Sequence, residues 1–376
     1  MRPNLACSAV ATAMFLAPLA AQNQGATFSN AVDGYIEMHY SPDLVPQSGI
    51  TFEAWITYDD ATLPTGWRWP TIMRQGNSGG GSENMFLRVS AANNNSKVLT
   101  WKVVTATNSV NVNWPFTAGQ LTTWTHVAAT YDGATARLFV NGVQVGSAAG
   151  NGAPIRDVNH DTFRIGKGDD VATPIEVWNG SIDEVRLWPF ARTQAEIQAT
   201  MNQQLFGVPG RVSTWNLDGH SFDTSGGQMG SEAGSVTFNN NPLVLGTPVM
   251  PTASGIGTPG CLGDLRLTTT SAPQVGNAGF GFACTRTAPN TLGIWVGSAG
   301  TLPSPVTIFG FDLWLDLIGM VTENGGANGL GTMHLALPLP PTFPAGFQFA
   351  AQAVVLDACG PEQLASSDAL TVVVLP

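Results

Sequence analysis

The chain has 376 residues, room for two domains, with only 11% charged residues and a net charge of −11. That charge repels phosphate backbones and anionic membrane surfaces, so nucleic acid is a poor partner. Forty-three Gly, 25 Pro and only three lysines (Lys97, Lys102, Lys167) describe a turn-rich, lysine-poor, β-rich extracellular protein.

In chain order, residues 1–21 read as a secretory signal peptide: Arg2 precedes an apolar run from Leu5 to about Ala20, with cleavage expected near Ala21 or Gln22. The run is too short for a membrane anchor, and no later segment is long and apolar enough to span a bilayer, so no transmembrane segment is expected. The mature protein is therefore expected to be secreted, extracellular or at the cell surface. Cys7 leaves with the signal peptide, and Cys261, Cys284 and Cys359 then allow one disulfide in any of three pairings.

From residue 22 to 245 short strand patterns alternate with Gly, Asn and Asp turns, as in FEAWITY (Phe52 to Tyr58), MFLRVS (Met85 to Ser90) and VLTWKVV (Val98 to Val104). YDGATARLFVNGVQVGS, Tyr131 to Ser147, specifies two hairpins, with Asp132-Gly133 and Asn141-Gly142 as two-residue turns. Pairing across them sets Ala129 against Ala136, Val127 against Leu138 and Val140 against Val143. Tyr131, Ala129, Val127, Leu138, Val140 and Val145 then share the core face. The opposite face collects Trp124, His126, Arg137, Phe139 and Gln144, and is expected to be open to a ligand. Thr193 with Glu196 forms a capping box before the one helix, AEIQATMNQQ. RVSTWNLDG and SVTFNN read as closing strands. Residues 246–260 are rich in Pro, Gly, Thr and Ser and read as a linker; 261–376 read as a second, smaller β-sandwich. The first domain is expected to fold without the second.

WTHVAATYDGATARLFVNGVQVGS, FRIGKG and NGSIDEVRLWPFARTQAEIQ together resemble the laminin-G-like branch of the concanavalin A-like lectins and glucanases. The resemblance runs over roughly residues 26 to 245. It implies an all-β chain whose first domain is an antiparallel jellyroll of two curved sheets, in a family that binds glycans or proteins more often than it catalyses. The C-terminal region resembles β-rich modules appended to secreted bacterial proteins.

Asp183 in SIDEVRLW is placed by strand alternation beside Val185 and Leu187, where a carboxylate is costly unless paired. The resemblance implies a structural Ca²⁺ at Asp183; the alternative is a carboxylate capping backbone N–H groups or meeting Arg164 or Arg186. Asp33, Asp157 and Asp161 are weaker candidates for the same ion, each reading first as a turn residue. Trp67 and Trp69 lie in a Pro/Gly-bounded loop and are candidates for stacking on sugars. With Trp124, His126, Arg137 and Phe139 they make up the expected ligand-binding set, although Trp124 and His126 also have a structural reading.

Glucanases of this fold carry acids at alternate positions of one strand, and no strand here does; adjacent Asp183 and Glu184 would point to opposite faces. Gly76 to Gly80 fits G-x-S-x-G without the strand-turn-helix context of a nucleophile elbow, and Gly255 to Gly260 fits G-x-G-x-x-G without a following helix. The chain is accordingly expected to be a non-catalytic binder of polysaccharide or glycoprotein glycans. The alternatives are an extracellular structural or adhesive protein and, third, an unusual glycoside hydrolase.

Overall fold

The computed structural model describes residues 23–61, 69–76, 83–93, 96–157, 161–168, 176–205, 213–223, 228–243, 245–249 and 251–375. The expected signal peptide therefore lies outside the described residues. Within them, residues 24–240 form two antiparallel sheets. The first runs Val143–Ala149, Thr135–Val140, Thr125–Tyr131, Ile50–Ile56, Gly180–Trp188, Gln24–Phe28, Thr237–Asn240, and Ser213–Trp215 adds an eighth strand beside Gly180–Trp188. The second runs Gly230–Gly234, Gly34–Met38, Phe163–Ile165, Thr71–Gln75, Met85–Asn93, Ser96–Val104, Ser109–Pro115. Between them lies one apolar core that includes Phe52, Leu87, Trp101, Leu138 and Trp215.

The second hairpin matches its expected register: Val140 faces Val143, and Asn141 (φ 48°) and Gly142 (φ 72°) take the left-handed conformation that a type I′ turn requires. The first hairpin is shifted by two residues, pairing Ala129 with Leu138 and Val127 with Val140. The cause is local. The Asp132 side chain accepts the N–H groups of Ala134 (2.9 Å) and Thr135 (2.6 Å), which moves the turn onto Gly133-Ala134. A shift of two leaves every side chain on its face: Val127, Ala129, Tyr131 and Leu138 are core and Val145 packs partly buried against it, while Val140 is half-buried outside the core cluster.

Alternation fails at Asp183. The pairing of Gly180–Trp188 with Ile50–Ile56 slips between Asp183 and Arg186, and Glu184 (φ 49°) takes the extra position of a bulge. Ile182, Val185 and Leu187 all enter the core, while Asp183, paired with Trp55, turns to the outer face beside Gly25 and Trp124. Asp183 and Glu184 are both buried.

The helix, α1 (Gln194–Thr200), carries the capping box: Thr193 Oγ1 accepts the Glu196 N–H and the Glu196 carboxylate accepts that of Thr193. The segment expected as a free linker instead contributes two short strands. Gly246–Val249 pairs in parallel with Gln203–Leu205, and Thr252–Ser254 pairs with Ala369–Val373 of the C-terminal domain. Short edge strands of this kind tolerate Pro and Gly because one side of the backbone needs no ladder partner.

The C-terminal domain is also β-rich, built on a six-stranded sheet with a three-stranded one and a hairpin (Thr301–Ile308, Phe311–Leu315) among the described residues. Cys261 and Cys359 form the disulfide and Cys284 is a buried thiol. The domain is docked on the jellyroll. Trp188, Phe190 and Leu205 pack with Ala272 and Ala283, and Arg192 donates to the Thr270 carbonyl (2.8 and 3.1 Å). The domain's two cations, Arg266 and Arg286, both reach Asp43 of the jellyroll, at 3.4 and 2.9 Å. No helix among the described residues is long and apolar enough to cross a membrane.

Candidate functional site

The expected ligand face is mostly covered. His126 and Phe139 do point away from the core, but each is only 1% exposed, because α1 lies over this sheet and Ile197 packs on Ala128 and Phe139. Trp124 is half-buried, its ring close to Gly25 at the Asp183 position. Arg137 stays partly open and pairs with Asp132 at 2.7 Å. Trp69 is half-buried at the start of the Thr71–Gln75 strand, and Trp67 lies outside the described residues.

Beneath α1 sits a buried ionic centre. Glu53 Oε1 accepts from Arg192 (2.6 Å) and from the Trp188 indole, and His126 Nε2 lies 3.4 Å from Oε2. Burial pushes this carboxyl up, but Arg192, His126 and Arg186 outweigh it and hold it well below the usual range. Burial in turn pushes the His126 imidazole down, against the pull of Glu53, so it is neutral at pH 7. Arg186 pairs with Glu184 (3.0 Å), whose other oxygen accepts from Asn216 (2.8 Å). Both carboxylates are sealed from solvent and joined to cations, which makes them structural pins rather than acids or nucleophiles that a sugar could reach.

Asp183 meets neither Arg164 nor Arg186, which pair with Glu37 and Glu184. Its Oδ2 accepts from the amides of Asn23 (3.2 Å) and Asn241 (2.9 Å), and its Oδ1 from the Glu184 N–H (2.8 Å). Burial, then the charge of Glu184, raise its pKa well above the carboxylate range. A calcium ion takes six to eight oxygen ligands. The residues fit such an ion: the Asp183 carboxylate is buried with no cation paired to it among the described residues, Asn23 can turn amide oxygen for nitrogen while the Asn241 oxygen stays fixed by the Leu243 N–H (2.9 Å), and the charge of Asp218 is felt at the site. Two of the weaker candidates are engaged elsewhere. Asp33 pairs with Lys167 (2.7 Å) and Asp157 Oδ2 accepts from the Tyr40 hydroxyl (2.6 Å), whereas Asp161 is held only through its backbone carbonyl, which accepts from Gln75 (2.9 Å), and its Oδ2 is buried without a hydrogen-bond partner among the described residues. Burial, with the Asp157 carboxylate beside it, pushes Tyr40 up to about 12.

The outer face of the seven-stranded sheet holds a site that sequence reasoning missed. Successive pairings align Glu37, Arg164, Arg74, Phe86, Lys102 and Asn111 in one row across six strands. Arg164 meets Glu37 at 2.7 Å; Arg74 meets Glu83 at 3.2 Å and Glu176 at 3.6 Å; Lys102 meets Glu83 at 2.5 Å. The Arg88 guanidinium lies 4.0 Å over the Phe86 ring, and Lys102 Nζ 5.6 Å from it. Of 15 Lys and Arg in the chain, seven (Arg74, Arg88, Lys97, Lys102, Arg156, Arg164, Lys167) belong to this sheet or its rim, and Arg74, Lys97, Lys102, Arg164 and Lys167 are paired there with carboxylates. Trp69 stands at the same rim. The legible signal was a cation set among apolar strand residues, in TIMRQ, FLRVS, TWKVV and FRIGKG.

A two-sheet jellyroll with one face pinned under a helix and the other bearing a polar row defines a lectin-like class of domain. Residues 29–198, most of the jellyroll, match the Laminin_G_3 family model, described as the concanavalin A-like lectin/glucanases superfamily. A comparison with curated proteins finds no match. Among solved structures the chain is similar to a candidate carbohydrate-binding protein from Bacteroides ovatus (22% identity, TM-score 0.45, 60% of this chain and 62% of that one). It is also similar to a heptameric SAP-like pentraxin from Limulus polyphemus (16%, 0.42, 59% and 97%). A third is the CBM40 of the Ruminococcus gnavus IT-sialidase (15%, 0.34, 46% and 98%).

Proposed function

We propose that this is a secreted, non-catalytic protein that recognises polysaccharide or cell-surface glycan through the outer face of its seven-stranded sheet. The observation that carries the reading is the cross-strand row: its open members, the Lys102 ammonium, the Arg164 guanidinium and the Asn111 amide, stand in fixed register around the buried Arg74 and Phe86, and with the half-buried Trp69 they offer hydrogen bonds and stacking surface of the kind that sugars use. Lys102→Ala with Trp69→Ala is expected to weaken binding of a glycan found on an array by about 1–3 kcal/mol at nearly unchanged melting temperature. Unchanged affinity would move the site off this face.

Calcium at Asp183 is part of the same proposal. When bound, the ion would supply the positive charge that the buried carboxylate lacks, and Asp183 with the turned amide of Asn23 would hold it. Because a ligand that binds only the folded state stabilises it, melting temperature should rise with calcium over chelator. Asp183→Asn should abolish that response. In chelator the sign reverses: a raised folded pKa means that stability is full below about pH 3.9 and is lost as pH rises. The Asn variant should then be at least as stable as wild type at pH 7, and a flat calcium response in wild type would refute the ion.

An adhesive reading has one observation in its favour. The C-terminal domain exposes Ile318 (82%), Phe309 (75%) and Val321 (67%), which suits protein contacts.

A further inference from the structure

The two domains enclose a cleft of about 560 Å³, lined from the jellyroll by Arg137, Gln144 and Gln194 and from the C-terminal domain by Phe280, Asn328 and His334. Its volume lies within the roughly 300–1,000 Å³ of ligand sites. The charges in its walls are already matched. Arg137 is paired with Asp132, Arg192 is committed to Glu53 and the Thr270 carbonyl, and Glu196 to the cap of α1. What remains is neutral hydrogen-bonding capacity. The Asn328 Oδ1 accepts from Leu330 and Thr332 (2.9 and 3.0 Å), and the Gln194 Oε1 accepts from the Gln144 N–H (3.0 Å). Their amide nitrogens and the His334 ring have no hydrogen-bond partner among the described residues.

His334 stays solvent-exposed although both domains surround it, and its ring meets Phe190 edge-on at 5.5 Å. That enclosure pushes its pKa down against the opposing pull of Glu196, so at pH 7 it carries one N–H donor and one acceptor nitrogen. Amide N–H groups and a neutral imidazole around an uncharged cleft match hydroxyl groups, and no unpaired charge is left for a carboxylate or sulfate.

We propose that this interdomain cleft is a second saccharide subsite, taking a neutral sugar unit, which exists only while the two domains are docked. The inference rests on the glycan-binding reading and gives the C-terminal domain half of a site. The test uses the full chain, with maltohexaose, cellohexaose, xylohexaose and mannohexaose as probes in calorimetric titrations. Asn328→Asp with Gln194→Glu removes two N–H donors yet keeps both acceptor oxygens, so the local turns survive. This pair, and His334→Ala separately, should each weaken binding of a neutral probe tenfold or more, with melting temperatures near that of wild type. Should the paired variant melt early, His334→Ala decides, with His334→Gln, which retains a side-chain donor and acceptor, as its control: affinity lost in Ala and largely restored in Gln supports the cleft, and wild-type affinity in Ala overturns it. If the cleft variants bind as wild type while Lys102→Ala loses the ligand, the cleft is refuted and the sheet face stands. Absence of binding to any neutral probe also overturns the cleft, and absence of every glycan on an array overturns both readings.

Discussion

Replacing Arg192 by Met is expected to destabilise the protein by about 3–5 kcal/mol, the usual cost of stripping one partner from a buried ion pair. Arg192 is fully enclosed and makes five kinds of contact: Glu53 Oε1 at 2.6 Å, the Glu196 carbonyl at 2.5 Å, the Thr200 hydroxyl at 2.8 Å, the Thr270 carbonyl, and the Trp188 ring at 4.1 Å. Methionine fills much of the volume but leaves Glu53 buried without its main cation. For a domain of this size the loss corresponds to a melting temperature lower by about 6–20 °C. The pH dependence gives a second readout. A carboxylate held below its ordinary pKa contributes stability above about pH 4.3, the unfolded value, and loses it as pH falls through the folded one. Buried neutral His126 adds a penalty on acidification below about pH 6.5 in wild type and variant alike. The deficit of Arg192→Met should therefore be full above about pH 4.3 and shrink as pH falls below it. A loss under 1 kcal/mol, or a deficit that grows in acid, would show that Glu53 is not held ionised by Arg192.

Ending the chain at Val249 should produce a jellyroll that still folds but melts well below the full protein. The cut keeps both sheets and the short Gly246–Val249 strand, yet it strips the covering from Phe190, Trp188 and Leu205 and removes the Thr270 carbonyl from Arg192. It also leaves Asp43 without Arg266 and Arg286, and the Ser48 carbonyl without the Thr332 hydroxyl at 2.5 Å. Burying a large apolar side chain is worth about 1.5–3 kcal/mol, so partial exposure of three such residues is a loss of several kcal/mol. Calorimetry should show one coupled transition for the full chain, and the shortened chain should bind a hydrophobic dye. If the full chain shows two transitions, one at the temperature of the shortened chain, the domains are thermally independent and the interface contributes nothing.

The jellyroll was legible because its signals are local. The Asn141-Gly142 turn, the Thr193–Glu196 capping box and the apolar alternation of Val127, Ala129, Tyr131 and Leu138 each act within a few residues, and each reappears in the fold. The Asp132 turn was displaced by its own side chain, a competition that residue types leave undecided. Face membership survived only because the slip was even.

The site was decided elsewhere. Strand periodicity separates inside from outside relative to one sheet, and it placed His126 and Phe139 correctly on the side away from the core. Whether that side meets water depends on what is laid over it. Here α1, some 60 residues further on, and a second domain cover it, so a polar and aromatic mixture that resembles a ligand face is an internal joint. A single bulge residue, Glu184, likewise rotated Asp183 from the core to the outer face, since one extra residue inverts all alternation before it. The row from Glu37 to Asn111 exists only by register: its six residues come from six strands spread over 128 positions, and only hydrogen-bonded pairing across the sheet sets them side by side. Sequence thus determined which residues form strands and which share a face; tertiary structure decided which face is open, because covering a sheet requires contacts far apart along the chain.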